Sequence, residues 1–166
     1  TLPGTEHPLA AYFTRGSGHN ERAGYSERPD DYIRNMDRLA RKFETARAMA
    51  PGPVIEETAG ARVGVIGAGT THWALVESRD QLQREFGIPS SYMRLRAFPF
   101  GRELAEFITR HDRVYVVEQN RDAQLLDLIR LEVGPRLDNN LRSVRYYGGL
   151  PIDARTVTDD IVQQEE

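Results

Sequence analysis

The sequence contains no cysteine. That excludes disulfides, thiolate zinc sites, a cysteine nucleophile and a cysteine-ligated iron–sulfur cluster within this chain. Long hydrophobic runs are missing too. The longest, Val63 to Ala68, is strand-sized and holds two glycines, far short of the roughly 18–20 residues a membrane-crossing helix needs. Neither sign of charge dominates: 22 basic residues face 25 acidic ones, for a net charge of −3, so no basic excess points to nucleic acid or to an anionic membrane. Lysine is nearly absent, Lys42 standing alone among arginines. Arginine forks hold carboxylates in two-point contacts and suit ion-paired surfaces and subunit contacts, although codon bias produces the same composition. There is no nucleophile elbow, no lysine-bearing phosphate loop and no pair of carboxylates spaced for acid–base work.

What is present suits a soluble globular chain with a real core: 39% of the residues are hydrophobic and 28% charged. The length of 166 residues is that of one domain, or of one domain behind an arm. The sequence runs from Thr1 straight into Leu2-Pro3-Gly4 and reads as a segment of a longer protein. Residues 1 to about 28 are rich in Gly, Ser, Asn, Arg and His and show no apolar period, as expected of an arm or a functional loop.

Ser26 is placed to cap a helix that Pro29, Asp30 and Asp31 open. Ile33, Met36, Leu39, Ala40, Phe43 and Ala46 recur every three or four residues and form one apolar stripe, destined for a core or a docking surface. Pro51-Gly52-Pro53 stops that helix. Beyond it, strands are expected at Val54–Glu56, Arg62–Gly67, Tyr92–Ala97, Arg113–Glu118 and Val144–Tyr147. Helices are expected at Thr70–Phe86, Arg102–His111, Asp122–Val133 and Thr156–Gln163, the first turning Ala74, Leu75, Leu82 and Phe86 inward. Thr58-Ala59-Gly60 can fold the first two strands into a hairpin. The alternation predicts an α/β fold: a three-layer α/β/α sandwich around a mixed, mostly parallel five-stranded sheet, behind a polar arm and one helix. The boundary falls at 52, with the arm and helix over 1–52 and the α/β domain over 53–166.

Three groups of residues are candidates for function. Gly67-Ala68-Gly69 links a buried strand to a helix start, where free amides can bind an anion. A dinucleotide fingerprint would need a third glycine where His72 stands, and an acid where Arg94 and Arg96 stand, so a tight turn for close helix packing is the stronger reading. The polar loop Arg15-Gly16-Ser17-Gly18-His19-Asn20-Glu21-Arg22 can bring Arg15, His19, Asn20 and Glu21 onto a substrate or partner, or can simply bond to itself. Glu118-Gln119-Asn120 and Gln124 lie at the carboxyl end of the strongest strand, where ligands meet open α/β sheets; Asn120 there also suits a helix cap. His7, His19, His72 and His111 show no metal-ligand spacing.

Several runs together carry a resemblance: Gly4-Thr5-Glu6-His7-Pro8, Ala11 to Glu21, Arg38-Leu39-Ala40-Arg41-Lys42-Phe43, Phe98-Pro99-Phe100 and Val116 to Gln124. They resemble the alpha subunit of 2-oxoacid:ferredoxin oxidoreductases, most closely the 2-oxoglutarate type, over nearly the whole chain. The resemblance implies an enzyme that decarboxylates a 2-oxoacid oxidatively, with coenzyme A as acyl acceptor and ferredoxin as electron acceptor. It implies that this chain is the connecting arm and the transketolase C-terminal-like domain. Thiamine diphosphate, magnesium and an iron–sulfur cluster would belong to the intact cytoplasmic complex, held with a beta subunit and the rest of the alpha subunit, and none would be bound by this chain alone. Two other readings stand beside it: a nucleotide-binding module built on Gly67 and Gly69, and a purely structural interaction domain.

Overall fold

The computed structural model describes residues 2–8, 10 and 18–166. They fall into two compact units, Thr1–Ala48 and Met49–Glu166.

The first unit is built on α1, Pro29–Met49. Proline supplies the fixed φ of a first turn, and Asp30 and Asp31 meet the positive end of the helix dipole. Ser26 sits just ahead of the helix: its Oγ accepts from the Arg28 amide at 3.2 Å and donates to Asp31 at 2.6 Å. Residues 18–26 fold back on themselves, with an antiparallel bridge between His19 and Tyr25. Ile33, Met36, Leu39 and Phe43 are exposed; the buried positions of α1 are Asp31 and Asn35. The stripe is therefore no core within the described residues, because the face of α1 that the loop covers is the polar one.

In the second unit β1 (Val54–Glu56), β2 (Val63–Ala68), β3 (Ser90–Leu95), β4 (Arg113–Glu118) and β5 (Leu141–Arg145) form one sheet in the order β1-β3-β2-β4-β5. All pairings are parallel except β1 with β3. The expected hairpin of β1 with β2 does not form. Both edges of β2 are taken by β3 and β4, and Thr58 anchors the turn after β1 to β3 instead, its amide on Ser91 Oγ at 3.1 Å and its hydroxyl on the Ser90 carbonyl at 2.9 Å.

The helices α2 (His72–Phe86), α3 (Glu103–Thr109), α4 (Gln124–Val133), α5 (Pro135–Asp138) and α6 (Ala154–Glu165) cover both faces. Val63, Val65, Tyr92, Tyr115 and Val117 pack one face against α2 and α6. Ile66, Met93, Val114 and Val116 pack the other against α3 and α4. This is the predicted three-layer arrangement. Glycines in β2 let the helices approach closely. A Cβ on Gly64 would lie 2.8 Å from Phe107, and one on Gly67 would lie 2.3 Å from Leu75 Cδ1.

Several boundaries move. β3 begins two residues early because Ser90 and Ser91, polar in sequence, are buried against Thr58 and Arg79. β5 begins at Leu141, not Val144, where Leu141 enters the core. α4 begins at Gln124, and α5 is an extra turn that Pro135 opens after Gly134. Phe86 is exposed rather than inward, since α2 ends there and Gly87 turns left-handed at φ 66°. α6 starts at Ala154 because Asp153 accepts from the Thr156 amide at 2.9 Å.

Candidate functional site

Two places hold the candidate residues, one in each unit. In the first, Asn20 organises the loop. Its Oδ1 accepts from the Arg22 and Gly24 amides, both at 3.0 Å, and its own amide donates to the Gly24 carbonyl at 2.9 Å. His19 Nδ1 lies 2.9 Å from the Asn20 carbonyl, and Asn35 of α1 donates to the carbonyl of His19. Glu21 reaches Arg34 at 3.5 Å. The loop is thus clipped to α1 by a buried amide, and its polar groups largely satisfy one another. Asn35, which does the clipping, carried no sequence signal beyond being polar in a helix. Arg15 and the rest of the run Ala11 to Ser17 lie outside the described residues.

Asp30 marks the start of α1. The Arg28 guanidinium, with Arg34 behind it, holds its carboxyl at about 2 against an ordinary 3.8. A depressed acid supports the fold above its unfolded pKa and stops doing so as pH falls through the folded one. The first turn of α1 should therefore hold at pH 4 and fray as pH drops through about 2, which the carboxyl and amide shifts of Asp30 in an acid NMR titration would follow.

In the second unit, the carboxyl ends of β2, β3, β4 and β5 share one edge. The chain moves from β2 to one side for β3 and to the other for β4, so the crevice between β2 and β4 is the switch point where open α/β sheets take ligands. Gln119 spans it. Its Nε2 donates to Thr71 Oγ1 at 3.1 Å and to Thr70 Oγ1 at 3.4 Å, and its Oε1 accepts from the Ile152 amide at 3.1 Å. Three loops are tied by one side chain that sequence reading had passed over as a neighbour of Glu118.

Glu118 is buried, 5% exposed. Its carboxylate accepts from the Leu125 amide at 2.8 Å and the Leu126 amide at 3.1 Å, and from the Asn120 side chain. Asn120 Oδ1 accepts from the Asp122 and Gln124 amides at 3.0 and 3.3 Å. Glu118 and Asn120 together therefore close the N-terminus of α4, of which Gln124 is the first residue. The Glu118 carboxylate accepts three hydrogen bonds in this cluster and Asn120 Oδ1 two, so both side chains are engaged in helix capping. Gly69 adopts φ 57° and starts a single 3-10 turn, Gly69–Thr71, ahead of α2. The Leu75 side chain fills the space against Gly67.

Beside this edge, His72 Nδ1 lies 3.0 Å from the Tyr92 hydroxyl, and Arg79 stacks over the Tyr92 ring and bonds Glu56 at 2.7 Å. Burial pushes the Tyr92 phenol up to about 12. Among the described residues no group of three His, Asp or Glu side chains could hold a metal ion, and no helix is long and apolar enough to cross a membrane.

The fold defines a class, a three-layer α/β domain with a mixed five-stranded sheet. Within it, the chain is similar in structure to 2-oxoglutarate:ferredoxin oxidoreductase from Magnetococcus marinus, a structure with 2-oxoglutarate, coenzyme A and succinyl-CoA bound. The TM-score is 0.80 at 22% identity, over 100% of this chain and 28% of that one. The alpha chain of a probable 2-oxoacid ferredoxin oxidoreductase from Thermoplasma acidophilum aligns at a TM-score of 0.46 and 21% identity, over 69% of this chain and 97% of that one. No family model and no curated protein matches the sequence.

Proposed function

We propose that this chain is the arm (1–52) and transketolase C-terminal-like domain (53–166) of the alpha subunit of a 2-oxoacid:ferredoxin oxidoreductase, of the 2-oxoglutarate type and cytoplasmic. The observation that carries this is the end-to-end match of the fold to an oxidoreductase with 2-oxoglutarate and coenzyme A bound, together with the sequence runs quoted above. The residues present do not fit the redox and thiamine groups. The chain has no cysteine for a cluster, and its described residues have no donor set for magnesium. On this reading thiamine diphosphate, magnesium and the iron–sulfur cluster are held by the remaining alpha subunit and a beta subunit, as the family resemblance implies. The part of this chain is assembly and the shaping of the substrate cavity, with Arg15, His19, Asn20 and Glu21 as the groups closest to substrate or partner. A nucleotide site at Gly67 and Gly69 finds less support, since the close packing of Leu75 on Gly67 accounts for that glycine without a ligand.

The test is reduction of ferredoxin or a viologen dye by the assembled enzyme, dependent on oxoacid and coenzyme A. Activity should require this chain, favour 2-oxoglutarate over pyruvate, and be lacking in the chain alone. His19→Ala should lower turnover several-fold at unchanged Tm. Full activity in an assembly lacking the chain, or no oxoacid activity in an assembly containing it, would sink the proposal.

A further inference from the structure

The two ends of the sheet are finished differently. At the amino end of the parallel strands three arginines meet carboxylates, Arg62 with Asp112, Arg110 with Glu57 at 2.7 Å and Arg113 with Glu165 at 2.5 Å, while Arg142 donates to the Asn139 and Leu141 carbonyls. At the carboxyl end, Arg94 and Arg96 of the β3 terminus and Arg145 of the β5 terminus meet no carboxylate among the described residues. Arg96 donates to the Gly52 carbonyl at 2.6 Å and Arg145 to the Arg121 carbonyl at 3.0 Å, bonds that fix the guanidinium but leave its charge uncompensated. Of the carboxylates at this end, Glu118 is committed to α4, Asp122 to Arg121 and Asp153 to Thr156, while Glu103, in the first turn of α3, forms no ion pair with these arginines.

The same end carries large exposed apolar side chains. Trp73 is 75% exposed, Tyr147 68% and Leu150 72%, and Phe98 is about half exposed. Trp73 stands in the first turn of α2, which follows β2, and the others in the loops after β5 and β3, so they spread across the strand order β3-β2-β4-β5, roughly 14 Å at about 4.8 Å per strand. The crevice that would make this a small-molecule pocket is bridged by Gln119. Aromatic rings and arginines spread over a wide surface, with the central cleft tied shut, are the composition of a protein-binding hot spot rather than of a concave ligand site.

We infer that the carboxyl edge of this sheet docks an acidic protein surface, one that sets carboxylates against Arg94, Arg96 and Arg145 and apolar contacts against Trp73, Phe98, Tyr147 and Leu150. The partner lies within the assembled oxidoreductase, and in that respect the inference rests on the proposed function. A second copy of the same edge is a poor occupant, since it would bring like charges together.

The test is hydroxyl-radical footprinting, read by mass spectrometry, on the assembled enzyme purified with this chain. Trp73, Phe98, Tyr147 and Leu150 should be oxidised several-fold more slowly in the assembly than in the chain separated from it by salt. The pair Arg96→Glu and Arg145→Glu should weaken association about tenfold at low salt, with the difference shrinking as salt screens it. Arg96→Lys with Arg145→Lys should keep the association, which guards against a merely misfolded variant. If the four side chains react equally in assembly and separated chain, or if added ATP protects them while protein does not, the inference is overturned. Protected rings in an assembly without oxoacid activity would refute the proposed function and leave the docking edge standing; an active assembly with unprotected rings does the reverse.

Discussion

Glu118→Ala is expected to lower the unfolding free energy by about 3 kcal/mol. The carboxylate sits almost wholly buried at the end of β4 and accepts from two successive amides of α4 and from Asn120. Truncation leaves those donors facing a cavity, and each orphaned buried donor costs about 1–3 kcal/mol, more where the lost partner was charged. It also removes a negative charge from a helix N-terminus. Glu118→Gln keeps the volume and one acceptor but sets an NH2 against an amide, so it should cost about half as much by the same reasoning. Asn120→Ala, which strips a cap shared by the Asp122 and Gln124 amides, should cost about 1 kcal/mol. Urea unfolding of the three variants checks the order. If Glu118→Ala were neutral in stability but abolished activity of the assembled enzyme, the carboxylate would have to be given a chemical task instead of this structural one.

The second large effect is expected at Gly67. An alanine there sets its Cβ 2.3 Å from Leu75 Cδ1, and Leu75 is fully buried. The leucine must leave its rotamer inside a packed core, at about 1–3 kcal/mol, and Gly67→Val should cost more than that. Leu75→Ala alone should cost about 2–5 kcal/mol through the cavity it opens. Combined with Gly67→Val, the new methyls enter that cavity, so the double variant should be less damaged than the sum by more than about 1 kcal/mol. Strict additivity in thermal or urea unfolding would show that the glycine is there for another reason, such as approach of a ligand to the backbone.

Much of the α/β domain was legible because burial leaves strong local marks. β4 falls at Arg113–Glu118 as read, since Val114 to Val117 are apolar on both faces, as a strand flanked by helix layers must be. The stop of α2 at Gly87 and the start of α1 at Pro29 were equally plain, being set by backbone chemistry within a few residues. The candidate site was less legible. Glu118 and Asn120 could be named from their place at a strand end, but their commitment to α4 depends on amides seven and eight residues further on. Gln119 could not be singled out at all, because its partners lie 48 and 33 residues away. Asp153 had a local sign that was missed, an acid three residues ahead of Thr156.

By itself the sequence determined which segments are strands and helices, that the sheet is mostly parallel, and that no thiolate chemistry resides in this chain. These follow from side-chain type and period, which act over a few residues. Tertiary structure decided the rest. It set β1 beside β3 instead of β2, because the strand with the most buried faces claims two parallel neighbours. It left the apolar stripe of α1 exposed while burying Asp31 and Asn35 under the loop. It also gathered, onto one edge of the sheet, arginines that meet no carboxylate among the described residues and exposed rings that follow β2, β3 and β5, a juxtaposition made by strand order, which no short stretch of sequence encodes.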